Sequence, residues 1–487
     1  MDIITRRPYY HPEFELLMDR LHPPRVCIDN DTCQDCTLVK VDSTNRNGIL
    51  LVMVQVLTDL DLVISKAYIS SDGVWFMDVF HVTDQLGNQI TDEGLIVYIQ
   101  QAMCPSRSGK TEVQTSIGRD VRPWHVSTDQ TAIEITGRDR PGLMSEISAA
   151  LAELECNTSA AVAWTHNTRV ACILYVEDGS SSLPVTDPCR LSLIQSRLEN
   201  VVRAHHREGE RRSVSLAVPT PSLTHTERRL HQLMAADIDY EMLFSCSDDM
   251  KNWSGSNRDN YDETKVTIEQ CAEKDYSTVT VSSRDRPKLL FDTVCALTDM
   301  QCVVFHAAVS SHGSTAIQEY YIRHKDGCTL NMDAERHVVT KHLIAAVDRR
   351  ASHGLRLYIS TENKLGVLSD VTRVFRENGL SILRAEIGTQ SDRAAGTFYV
   401  ADTSGFDVSL DTVEAVRTEI GGDIKVVNKT FTRAPQTSAG TSVDISNQPS
   451  TSGSRASDVE DASRFSLLYL LRSQYERFSS NFRAIMS

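Results

Sequence analysis

The chain has 487 residues, too many for one hydrophobic core at roughly 150 residues per domain, so about three or more domains are expected. With 50 Lys plus Arg against 65 Asp plus Glu it carries a formal charge of −15, so no long-range field draws it to nucleic acid or an anionic membrane. The longest apolar run, residues 48–57, is about half the roughly 20 residues a bilayer helix needs, and no membrane span is expected.

Residues 1–23 form an N-terminal segment with neither the apolar core of a secretory signal nor the acid-poor, Arg- and Ser-rich character of an import leader. The expected address is the cytosol or nucleus. The 12 cysteines are then expected to be reduced thiols. Cys33 and Cys36 make the only CxxC, and no second CxxC or HxxxH completes a tetrahedral set, so neither a metal nor a cofactor is expected.

Four segments align on a recurrent loop: NRNGIL at 45–50, GRDRPGLM at 137–144, SRDRPKLL at 283–290 and NKLGVL at 363–368. The anchors are Gly48, Gly142, Lys288 and Gly366. Before each anchor, alternating β-branched and polar residues predict a strand, at 37–43, 131–136, 277–283 and 354–360. After it, apolar residues keep helical spacing, as in Leu143, Met144 and Leu151. Two strand candidates around a turn and a second helix follow in every copy. Closing strands are expected at 111–116, 213–218 and 423–429, whereas copy three has no room for one and is either incomplete or shares an edge with copy four.

The predicted fold is α+β: four tandem ferredoxin-like βαββαβ modules, antiparallel sheets with helices on one face. The expected boundaries are 24–118, 124–219, 276–351 and 354–430. A linker at 220–275 carries a short helix, marked by Leu230, Leu233 and Met234, and a polar loop. A disordered tail is expected at 431–463 and an amphipathic helix at 464–487.

The loop suits an amino acid. A helix start offers unpaired N–H groups and partial positive charge to an α-carboxylate, and glycine lets a ligand approach the backbone. Asp139, or Asn45 and Asn363, can cap the helix or accept a bond from the ligand ammonium, and Pro141 is expected in the first turn. The candidate ligand-binding residues are Asn45, Gly48 and Ile49; Asp139, Gly142 and Leu143; and Asn363, Gly366 and Val367. The same residues would serve a ligand-free strand-to-helix turn equally. Lys288 fills the space that glycine leaves open elsewhere, so copy three is expected to be blocked or converted to a contact. No nucleophile, metal set or acid–base pair is assembled, and no catalysis is expected.

A strand, then DRPGLM and an apolar helix, inside a βαββαβ unit resembles the ACT domain. Four copies, HTERRLHQLMAADIDYE at 225–241 and a Ser-rich tail ending in LLRSQYERFSSNF together resemble the plant ACT domain repeat (ACR) family over residues 24–430 and the terminal helix. The resemblance implies a non-catalytic regulatory sensor that binds an amino acid at the interface of paired domains and signals to a protein partner in amino-acid or nitrogen regulation. Glutamine is a candidate, because similar tandem copies form the glutamine-responsive end of bacterial nitrogen-control uridylyltransferases. The alternative is a scaffold that self-associates or pairs with other ACT-like domains and holds no small molecule.

Overall fold

The four loop anchors adopt one backbone conformation. In the computed structural model, which describes residues 24–45, 48–71, 75–103, 130–204, 210–217, 225–241, 263–271, 275–350, 354–390, 392–403 and 408–427, the anchors Gly48, Gly142, Lys288 and Gly366 all lie in the left-handed region, with φ of 79°, 82°, 65° and 79°. Each joins a strand to a helix: β2 (Thr37–Thr44) to α1 (Ile49–Asp59), β5 (Thr131–Arg138) to α3 (Leu143–Glu153), β10 (Tyr276–Arg284) to α6 (Leu289–Asp299), and β13 (Leu355–Glu362) to α8 (Val367–Glu377). Glycine is therefore favoured by the turn before any ligand is considered, and Lys288 adopts the same geometry at the cost of the Cβ–carbonyl clash. The anchors themselves are the N-caps, with no side-chain cap bond. This corrects the capping role expected of Asp139, Asn45 and Asn363, and Pro141 precedes the helix.

Hairpins follow as expected: β3 (Val63–Ser71) with β4 (Trp75–Thr83), β6 (Cys156–His166) with β7 (Arg169–Asp178), β11 (Cys302–His312) with β12 (Thr315–His324), and β14 (Leu380–Gln390) with β15 (Arg393–Asp402). The second helices are α2 (Glu93–Ala102), α4 (Pro188–Arg203), α7 (Asp333–Asp348) and α9 (Leu410–Ile420).

The fourth strand comes from two directions. In modules two and four, β8 (Ser213–Ala217) and β16 (Asp423–Val426) return after the second helix to pair with β5 and β13. In modules one and three that slot is filled from the N-terminal side, by β1 (Arg25–Asp29) on β2 and β9 (Lys265–Cys271) on β10. Either route gives an antiparallel neighbour, because a hairpin partner and a return from the opposite helix run the same way. Module three is thus complete, and it takes Lys265–Cys271 from the stretch expected to be linker. The strand expected at 111–116 lies outside the described residues, as do the N-terminal segment, the tail and the terminal helix.

Modules pair one with three and two with four. The strand orders are β1-β2-β4-β3-β11-β12-β10-β9 and β16-β13-β15-β14-β6-β7-β5-β8, each an eight-stranded sheet joined at its middle. At the second junction Val162 faces Glu386, and each stands the same distance along the chain from its glycine anchor. The pair is therefore related by a local two-fold axis, and α3 and α8 run antiparallel across it, with Ser148 Oγ and Thr372 Oγ1 meeting at 2.9 Å. Each pair shares one core: Leu51, Met53, Phe80, Phe291 and Tyr320 lie in the first, and Ile133, Ile147, Leu174, Phe375 and Phe398 in the second.

The expected linker helix, α5 (Thr226–Ala236), covers the outer face of the second sheet. Leu230, Leu233 and Met234 pack there on Trp164, Ile173 and Tyr175. Its opposite face carries polar residues that bind the first pair: His225 Nε2 lies 2.7 Å from Asp59, and Arg228 reaches Asp299 at 2.8 Å.

Candidate functional site

In modules two, three and four the loop is held by its own ion pair. The basic residue two before the anchor reaches the acid four after it, as Arg140 to Glu146 (bidentate), Arg286 to Asp292 (2.7 Å) and Lys364 to Asp370 (2.9 Å). The amides of Asp139, Asp285 and Asn363 also donate to hairpin-turn carbonyls, of Thr168, Ser314 and Asp392, at 2.8, 2.7 and 2.7 Å. These contacts preset the turn and leave the side chain of residue 139 to other uses.

Between modules two and four the loop faces its partner across a solvent-open cleft, whose empty space of about 380 Å³ includes bulk solvent. Asp139, Gly142 and Leu143 line one side; Thr372, Arg376 and Leu380 line the other. The Arg376 side chain lies over Gly142, where an added Cβ would stand 2.7 Å from its Cδ. Glu377, at 3.9 Å, is a loose partner for its guanidinium. The first helical bond of α3 runs from the Glu146 amide to the Gly142 carbonyl, so the amides of Met144 and Ser145 precede it and face the cleft end of the helix.

Burial raises the Asp139 carboxyl to about 6, outweighing the Arg140 amide and charge that favour its ionised form. Arg140 is committed to Glu146, so its guanidinium does little for Asp139. The cleft therefore sets an acid and a guanidinium on opposite walls around a helix start, and buried Val170, Ala163 and Leu380 also line it.

The other candidates do not share this cleft. Gly366 sits at the opposite end of the same helix pair, where Ala152 stands in the place of Arg376 and an added Cβ would touch it at an ordinary 3.4 Å. Asn363 stays on its turn and Val367 is buried. In module one, Asn45 Nδ2 donates to Ser71 Oγ at 2.6 Å, Ile49 is buried, and the space around Gly48 is open. The nine positions form three separate groups, because pairing places partner loops at opposite ends of a helix pair.

In module three, Lys288 Nζ binds Glu227 of α5 at 2.9 Å, so this loop is a contact within the chain. The contact opens into a buried network. Arg350 binds both Asp292 (2.7 Å) and Glu227 (2.9 Å) and stacks on Trp164 of the other sheet, 4.8 Å from the ring centre. Arg349 grips Asp239 at 2.6 Å. His231 Nε2 meets Asp292 at 2.8 Å, while Arg349 approaches Nδ1 at 3.2 Å. Burial lowers the His231 pKa, so the ring is neutral and donates from Nε2. Burial alone would raise Asp292, yet Arg350 and Arg286 hold its pKa well below the usual range.

Arg376 and the loop ion pairs were absent from the expected site. The basic-to-acidic spacing is written in the sequence and was available as a signal. Arg376 carries none, because its place beside Gly142 follows from which modules pair.

Four paired ferredoxin-like modules with a helix-start cleft at their interface define a tandem array of ACT regulatory domains. A family model described as the ACR family N-terminal ACT domain matches residues 32–110, and one described as the ACT domain matches 356–419. The ACT domain-containing protein ACR1 of Arabidopsis thaliana is 49% identical over 490 residues, covering 99% of this chain and 99% of that protein. ACR3 of the same plant is 51% identical over 420 residues, 86% of this chain and 90% of that protein. A bifunctional uridylyltransferase/uridylyl-removing enzyme of Azospirillum brasilense is 38% identical over 81 residues, 17% of this chain and 9% of that enzyme. The chain belongs to the ACT domain repeat (ACR) family.

Proposed function

We propose that this chain is a non-catalytic sensor that binds a free amino acid in the cleft between modules two and four and passes the state to a protein partner in amino-acid or nitrogen regulation. The supporting observation is the placement of Asp139 and Arg376 on opposite walls of one cleft at a helix start. Asp139 accepts from the ligand ammonium; Arg376 and the amides of Met144 and Ser145 receive the α-carboxylate. The ligand touches both modules, so it favours their docked arrangement over a loosened one, and that differential affinity is the signal.

Thermal unfolding of the full chain with a panel of amino acids, glutamine included, tests this. A ligand at about 100 times its dissociation constant stabilises by about 2.7 kcal/mol. Arg376→Ala removes the shift, while Arg373→Ala, on the same helix, keeps it. Flat curves across the panel at millimolar concentration would leave the scaffold reading, for which the Lys288–Glu227 contact is a precedent within this chain.

A further inference from the structure

The CxxC at Cys33 and Cys36 lies in the turn between β1 and β2, and the fold supplies the ligand that local spacing lacks. His81 stands on β4 opposite Leu38 of β2. Its Nδ1 lies 3.4 Å from Cys36 Sγ, which is 3.2 Å from Cys33 Sγ, and all three donor atoms fall within 4.8 Å of one another. The turn is built independently of any ion. Gln89 Nε2 donates to the carbonyls of Asn30, Cys33 and Cys36 at 2.9, 2.7 and 3.2 Å, and Asn30 is itself held by Thr37 at 2.6 Å and by the Ile90 carbonyl at 2.9 Å.

A tetrahedral zinc ion, with Zn–S of about 2.3 Å and Zn–N of about 2.0–2.1 Å, needs S···S near ~3.8 Å and S···N near ~3.6 Å. The Cys33–Cys36 and Cys36–His81 separations, 3.2 and 3.4 Å, are shorter than these and the Cys33–His81 pair lies within 4.8 Å, so side-chain rotations can bring the three donors to one ion. Two thiolates and a neutral imidazole also balance a divalent charge, which suits a half-buried setting.

We propose that Cys33, Cys36 and His81 form a Zn²⁺ site with three protein ligands and a fourth position open to water or an exogenous donor. Binding releases the two thiol protons to solvent and forms two Zn–S bonds and one Zn–N bond. The ion ties the β1–β2 turn to β4 and so fastens the edge strand that module one takes from its N-terminal side. The site is independent of the cleft between modules two and four.

The test uses the full chain, reduced and stripped of metal by chelation, titrated with Co²⁺ and then Zn²⁺. The expected result is a thiolate-to-cobalt charge-transfer band and tetrahedral ligand-field bands saturating at one Co²⁺ per chain, bleached by Zn²⁺. His81→Ala should weaken Zn²⁺ binding by at least the roughly tenfold that loss of a partner behind a ligand already costs. Cys33→Ser should abolish the band, and Cys27→Ser, an exposed thiol on β1, should leave it unchanged. No stoichiometric band from the reduced wild-type chain would overturn the proposal, whatever the variants do. Undiminished binding in His81→Ala would overturn it too, since a dithiol pair needs only the cysteines.

Discussion

Asp139→Asn separates the energetic burden of the cleft from its use. Asp139 rises from the ordinary 3.8 to about 6 because burial disfavours its charge. Its folded pKa lies above the unfolded one, so the folded state has no penalty below about 3.8, acquires one as pH rises through the window from 3.8 to about 6, and bears all of it above. At ~1.4 kcal/mol per pH unit that penalty is about 3 kcal/mol, a ceiling because part of the residue remains in water. Asparagine fits the loop, as modules one and four show at Asn45 and Asn363. Urea denaturation should find the variant more stable than wild type by up to about 3 kcal/mol at pH 7.5, with the difference vanishing near pH 4. The variant should also lose amino-acid-induced stabilisation, and the wild-type response should weaken as pH falls below about 6. Equal stabilities at pH 7.5, or a full ligand response in the variant, would refute the reasoning.

Arg350→Ala leaves Asp292 and Glu227 buried with less compensation, and chemical denaturation should register a loss of about 3–5 kcal/mol; a loss below about 1 kcal/mol would show that its two carboxylates are satisfied without it. Gly142→Ala and Gly366→Ala should each cost roughly 1–2 kcal/mol for the left-handed backbone. Only Gly142→Ala should also alter the ligand-induced melting shift, because its Cβ must displace Arg376. Lys288→Ala should leave that shift intact and lower the melting temperature slightly; loss of ligand response there would mean that module three takes part in binding.

Local patterns carried much of the fold. Alternation located the first strands, helical spacing located Leu143, Met144 and Leu151 on one face, and the repeat of DRPGL-like loops revealed equivalent turns. Leu230, Leu233 and Met234 were equally legible as a helix, but not as a layer covering Trp164, since the partner surface lies far away in the chain. The edge strands of modules one and three were missed for a topological reason: a slot beside the first strand can be filled from before it, and KVTIEQC at 265–271 has the alternation of a strand but stands upstream of its anchor. The cleft was half legible. Asp139 and Gly142 announce themselves by turn chemistry, whereas Arg376 joins them only through a two-fold pairing such as Ser148 with Thr372, 224 residues apart.

The order of pairing has a consequence for how the chain is made. Neither pair is contiguous, so when module two has left the ribosome both β3 and β6 are bare sheet edges, and each waits for a partner still to be translated: β11 from residue 302 and β14 from residue 380. An open edge templates pairing with other chains. A product ending between modules two and three would therefore carry two unmatched edges and two half-covered cores, and would meet its own copies before anything else. Genes for such repeats are divisible on paper at every module boundary, yet this one encodes a braid, in which the last module must arrive before the second is finished.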